Sequence, residues 1–112
     1  MNKREQLIEK YVEQLTGVGV KVDRDLLTKV TVGLGPSIYN ADASTVASSD
    51  PSELATVKNN YLIKKLGLED GPKLDEAIDK VVETLGRSNR NKYRACVYYL
   101  LCIEFGKQAV YA

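Results

Sequence analysis

The chain has 112 residues, 44% of them hydrophobic and 28% charged, with 16 basic against 15 acidic side chains and a net charge of +1. That length suits one domain around a single core, the apolar content is too high for disorder, and no uncharged run approaches the ~20 residues of a membrane span. The balanced charge gives no global pull toward nucleic acid or an anionic membrane, and the absence of histidine removes Ser-His and Cys-His nucleophiles together with the usual metal ligands.

At the start, Lys3 and Arg4 run straight into Glu5 and Glu9 with no apolar run behind them, which excludes a secretory signal peptide. Leu7, Ile8, Tyr11, Val12 and Leu15 recur at spacings of three and four, the stripe of an amphipathic helix ending near Gly17. Asp23 is the N-cap candidate of a second helix carrying Leu26, Leu27 and Val30, and the chain breaks at Gly33-Leu34-Gly35-Pro36.

That glycine stretch has no lysine close by, no preceding strand and no G-x-x-x-x-G-K-[ST] word, so it reads as a helix stop and a turn rather than a phosphate loop. From Gly35 to Ser52 the composition predicts a loop, with one short helix capped by Asn40. Tyr39, Asn40 and Asp42 offer an aromatic, an amide and a carboxylate that could line a small polar pocket. Their simpler reading is a tyrosine packed on a helix beside an Asx-type cap.

Asp50-Pro51-Ser52-Glu53 is the clearest helix start: a capping residue, proline at the first helical position and Glu three residues after the cap. This helix carries Leu54, Val57, Tyr61, Leu62 and Leu66 to Gly67. Asp70-Gly71-Pro72 opens the next, with Leu74, Ala77, Ile78, Val81, Val82 and Leu85 on one face and Asp75, Glu76, Asp79 and Glu83 on the other, until Gly86. The last helix is expected to begin near Asn89 or Asn91 and stop at Gly106. Tyr93, Cys96, Val97, Leu100, Leu101 and Phe105 lie on one side of it and Tyr98, Tyr99, Cys102 and Ile103 on the other, so it is apolar nearly all round and predicted to sit centrally.

No stretch alternates over a strand length, Val20-Lys21-Val22 being too short. The fold class is therefore all-α: a compact bundle of five main helices and a sixth short one, in one domain over residues 1–112.

The words LLTKVTVGLGPSIYNADASTVASSDPSELATVKNNYLIKKLGL and GRSNRNKYRACVYYLL resemble a small bacterial family of cytoplasmic proteins classed as a domain of unknown function. The likeness extends over essentially the whole chain and implies a one-domain, bacterial, cytoplasmic protein. It brings no activity and no assigned site, so no functional residue is carried over from it.

Cys96 and Cys102 lie six residues apart on one helix, ~9 Å along its axis and ~240° around it, so they cannot pair with each other. Free buried thiols suit a reducing cytoplasm.

The segment Gly86 to Arg94, GRSNRNKYR, gathers Arg87, Arg90, Lys92 and Arg94, with Asn89 between them, at the expected start of the last helix. Cations are disfavoured at a helix N-terminus, so four of them there require a partner. Either the acidic face of the preceding helix neutralises them, or they form a site for phosphate, a carboxylate or another anion. Tyr93 could stack on a base, yet four cations beside an acidic helix are a weak nucleic-acid footprint. The cysteines lack metal-site spacing, and the carboxylate pair Asp75 and Asp79 reads as a solvated face. The chain is thus expected to act by binding and not by catalysis, with no cofactor or metal. A protein partner or self-association, served by Tyr98 or Tyr99, leads; an anion- or nucleotide-sensing module at Arg87, Asn89, Arg90, Lys92 and Arg94 is the alternative, and neither nucleic acid nor a membrane is favoured as partner.

Overall fold

The first four helix starts follow from a local hydrogen bond or a proline. In the structure, a computed structural model that describes residues 2–111, the Asn2 side chain accepts the Glu5 N–H at 2.8 Å and opens α1 (Lys3–Gly17). The helix ends at Gly17, as its sequence predicts. Two residues on, the chain turns away at Gly19, whose φ of 83° suits a residue without a Cβ. From there the Gly19 and Val20 N–H groups reach back to the carbonyls of Thr16 and Leu15 at 3.1 and 3.0 Å.

Asp23 caps α2 (Arg24–Leu34) by accepting the Leu26 N–H at 3.1 Å, as its position predicts. A short 3₁₀ turn over Gly35–Tyr39 follows. Asn40 ends this turn and does not cap a helix of its own: its side chain accepts the N–H groups of Asp42 and Ala43 at 2.9 and 3.3 Å, closing an Asx turn.

Asp50 caps α3 (Pro51–Thr56) through the Ser52 N–H at 2.9 Å. Glu53 does not complete the expected capping box, because its carboxylate is turned away to Arg94. α3 then continues without a break as a nine-residue π-helical stretch, Val57–Lys65, in which the winding loosens to hydrogen bonds five residues back. The burial pattern supplies the reason. Val57, Tyr61, Leu62 and Leu66 are all buried, and in an α-helix Leu62 would point roughly 140° away from Val57. A π-turn brings residues four and five apart onto one face, so all four reach the core together.

Pro72 opens α4 (Pro72–Leu85), which buries Leu74, Ala77, Ile78, Val81, Val82 and Leu85. Finally, α5 (Arg94–Glu104) buries Ala95, Cys96, Val97, Tyr98, Tyr99, Leu101 and Cys102, and a 3₁₀ turn over Gln108–Tyr111 closes the described chain.

The five helices form an all-α bundle in which α5 packs against α1, α2 and α4, while the π-helical stretch packs against α4. The apolar last helix is therefore central, as its sequence predicts, and the buried apolar side chains other than Ile38 form one cluster. No helix among the described residues is long and apolar enough to cross a membrane.

Candidate functional site

The segment before α5 is shaped by a contact that no local pattern announces. Thr45 and Tyr93 form an isolated antiparallel bridge, in which Val46 N–H donates to the Lys92 carbonyl and Arg94 N–H to the Ser44 carbonyl, each at 2.8 Å. Gln14 of α1 brackets the same turn, donating to the Asn91 carbonyl at 2.6 Å and accepting the Tyr93 N–H at 3.1 Å. With these groups committed, the helix begins at Arg94 rather than at Asn89 or Asn91. Asn89 instead accepts the Asn91 N–H at 3.0 Å and donates to the Leu85 carbonyl at 3.3 Å, tying the loop to the end of α4.

The basic residues separate into different environments. Arg87 faces α4, where it pairs with Glu83 and, at 3.0 Å, with Asp79. Hydrogen bonds to Glu83 and Asp79 raise its pKa further above the ordinary arginine value. Lys92 is only 1% exposed, and its ammonium donates to the carbonyls of Arg87 and Asn89, holding the loop from beneath. Burial, and after it the nearby Arg87 charge, lowers its pKa below the usual lysine value.

Arg94 is turned inward as well. Its guanidinium pairs with Glu53 and donates to the carbonyls of Ala43 and Thr45 at 2.7 and 3.3 Å. Burial works against that charge, but hydrogen bonds to Tyr98 and Glu53 outweigh it and raise the pKa. Arg90 differs from the other three: it is exposed and makes no ion pair or hydrogen bond through its side chain among the described residues.

Because the bridge lays residues 44–50 beside residues 86–93, the two loops enclose an open concavity of about 540 Å³. Val46, Ala47, Ser48 and Ser49 line it from one loop and Arg87, Ser88, Asn89 and Arg90 from the other. Arg87, Asn89 and Arg90 thus share one surface, whereas Lys92 and Arg94 serve the scaffold beneath it. The Ser-rich loop thus lies beside the basic segment, whereas Gln14, and Glu53 as the partner of Arg94, escaped the sequence reading. Only their long-range pairing sets their roles, and no spacing in the chain encodes it.

The other candidate group does not assemble. Tyr39 is 47% exposed beneath the Lys3 ammonium, 5.8 Å from its ring centroid, and lies in a depression with Arg4, Val32 and Pro36. Asn40 is spent on its turn and Asp42 is exposed, so the three side chains line no common pocket.

The tyrosines of α5 are likewise internal. Tyr99 accepts the Asp23 N–H through its hydroxyl at 2.7 Å, and Tyr98 is buried with its ring stacked on Tyr61. The contact surface expected from this pair is therefore absent from α5.

Taken together, these features define a small all-α protein with a buried central helix and a two-loop face held by inward-turned cations. The chain belongs to the family described as a protein of unknown function, DUF2853, whose model matches residues 10–109. No curated protein matches the chain.

Proposed function

We propose that the protein is a small bacterial, cytoplasmic binding module of one domain, which takes an anionic ligand in the concavity between the two loops. The observation that carries this reading is Arg90, an exposed guanidinium without an internal partner among the described residues, set beside the hydroxyls of Ser48, Ser49 and Ser88. A fork of donors next to hydroxyl groups suits a phosphate or carboxylate. Two buried free thiols fit a reducing compartment.

The test is a thermal-shift screen of the purified protein with inorganic phosphate, nucleoside phosphates and small aliphatic carboxylates at low and moderate salt. A ligand at ~100 times its dissociation constant adds ~2.7 kcal/mol of stability. The expected result is a salt-sensitive shift that Arg90→Ala abolishes while leaving the unliganded melting temperature within ~2 °C. A flat screen, or a shift that Arg90→Ala retains, ends the reading.

A second reading rests on Val32 and Tyr39, 51% and 47% exposed at the end of α2. Neighbouring apolar groups on the surface suit a protein partner or a second copy of the chain. Light scattering across a concentration series checks it: a rising mass that Val32→Glu abolishes supports self-association, and a constant monomer mass leaves only a foreign partner for that face.

A further inference from the structure

The π-helical stretch does more than turn four residues into the core. It also places Asn60, Tyr61 and Lys65 along the edge of a separate cavity of about 150 Å³, whose opposite wall is α2 at Val30, Gly33 and Leu34. This cavity shares no residue with the two-loop concavity.

Its walls are flat and aromatic. The rings of Tyr61 and Tyr98 stack with centroids 3.9 Å apart and planes 12° from parallel. Tyr111 donates its hydroxyl to that of Tyr61 at 2.9 Å, and Tyr61 in turn donates to the Tyr98 carbonyl at 3.0 Å. These hydrogen bonds fix the side chains of Tyr111 and Tyr61, and stacking on Tyr61 holds the Tyr98 ring, so the cavity is preformed. On the α2 side, a Cβ at Gly33 would lie 3.7 Å from the Tyr111 ring, so the glycine keeps that wall free of a side chain.

We propose that this cavity is a binding site for a small aromatic carboxylate. The volume is that of a cavity able to hold one benzene ring, and the apolar and tyrosine walls suit a planar ring over a branched aliphatic group. The charge comes from Lys65, whose ammonium sits 5.2 Å from the Tyr111 ring centroid and faces no carboxylate among the described residues. An acid seated in the cavity supplies the missing anion. Burial pushes the hydroxyls of Tyr61 and Tyr111 up, so both stay neutral and do not repel it. Tyr61 and Lys65, four residues apart on one helical face, both line the same opening.

The probe is sodium benzoate, titrated at constant ionic strength and followed by tyrosine fluorescence and by the amide shifts of Gly33 and Lys65, with acetate as the control anion. The expected result is saturable binding, ~tenfold tighter for benzoate than for acetate. Gly33→Leu, which fills the cavity, abolishes it; Lys65→Met, which keeps the stem and removes the charge, weakens it ~tenfold. Arg90→Ala leaves it unchanged, which separates this site from the two-loop concavity. Should Gly33→Leu fail to fold, Lys65→Met decides. Absence of saturable binding, equal binding of acetate, or wild-type affinity in Lys65→Met overturns the proposal.

Discussion

Arg94 and Glu53 form an ion pair between α5 and α3 although they stand 41 residues apart, and their side chains are only 12% and 23% exposed. The same guanidinium holds the carbonyls of Ala43 and Thr45. One side chain thereby joins two helices and the loop that forms half of the concavity. Its planar array of donors can serve all of these acceptors at once, which a lysine ammonium cannot do in the same geometry.

Arg94→Ala is expected to lower stability by about 2–3 kcal/mol, since it strands a partly buried carboxylate and two carbonyls. Arg94→Lys should recover less than half of that. Urea denaturation reads the effect as a lower midpoint with an unchanged slope. A loss below ~0.5 kcal/mol would mean that the 43–45 loop is held by its backbone bridge alone.

The thiols give a second, independent check. Cys96 and Cys102 are both fully buried, and burial pushes both thiols above the ordinary cysteine range. Reactivity follows the thiolate and its access, so neither residue should react in the native state at pH 8. With an aromatic disulfide reagent, colour is expected to appear only at the rate of unfolding and to account for both thiols in denaturant. A fast phase of one equivalent in native buffer would show that one of the two faces an opening.

Helix identity was legible because it rests on local signals. Asp23, Asp50 and Pro72 start helices where the chain says they should, and the apolar stripe of Leu74 to Leu85 points inward throughout. The misjudged start of α5 depends on partners distant in sequence. Nothing near Asn89 announces that Gln14, some 80 residues earlier, and Ser44 would claim the N–H groups of Tyr93 and Arg94 and delay the helix. The π-helical stretch escaped for a related reason: Val57, Tyr61, Leu62 and Leu66 fit a loose helical stripe, and only the need to bury all four selects the wider turn. Within the basic segment, composition revealed the cations but not their division, because whether a cation is a tie or a free group depends on which acceptors the fold brings to it. Arg87 went to the acidic helix, Lys92 and Arg94 to carbonyls and Glu53, and Arg90 to none among the described residues.

Alkaline pH should expose the buried tyrosine of α1. Tyr11 is 1% exposed, and burial, then the neighbouring Cys96, Tyr93 and Tyr39, raises its pKa from 10.0 to about 12. Between those values the unfolded chain has lost this proton and the folded chain keeps it, so the unfolded state binds fewer protons and stability falls as pH rises. The loss attributable to Tyr11 is on the order of 2 kcal/mol across that window. Lys92 acts in the opposite sense: its lowered pKa means that folding gains stability as pH climbs toward 10.5. A single-residue comparison separates the two. Tyr11→Phe, which removes a hydroxyl with no hydrogen bond among the described residues, is expected to change stability by less than ~1 kcal/mol at pH 8. Above pH 10 its decline should be visibly shallower than that of the wild type, measured by urea denaturation at successive pH values. Curves that stay parallel through that window would show that the Tyr11 hydroxyl ionises as easily in the fold as in the unfolded chain, and that the alkaline sensitivity comes from Tyr61, Tyr99 and Tyr111 instead, whose pKa values burial also raises.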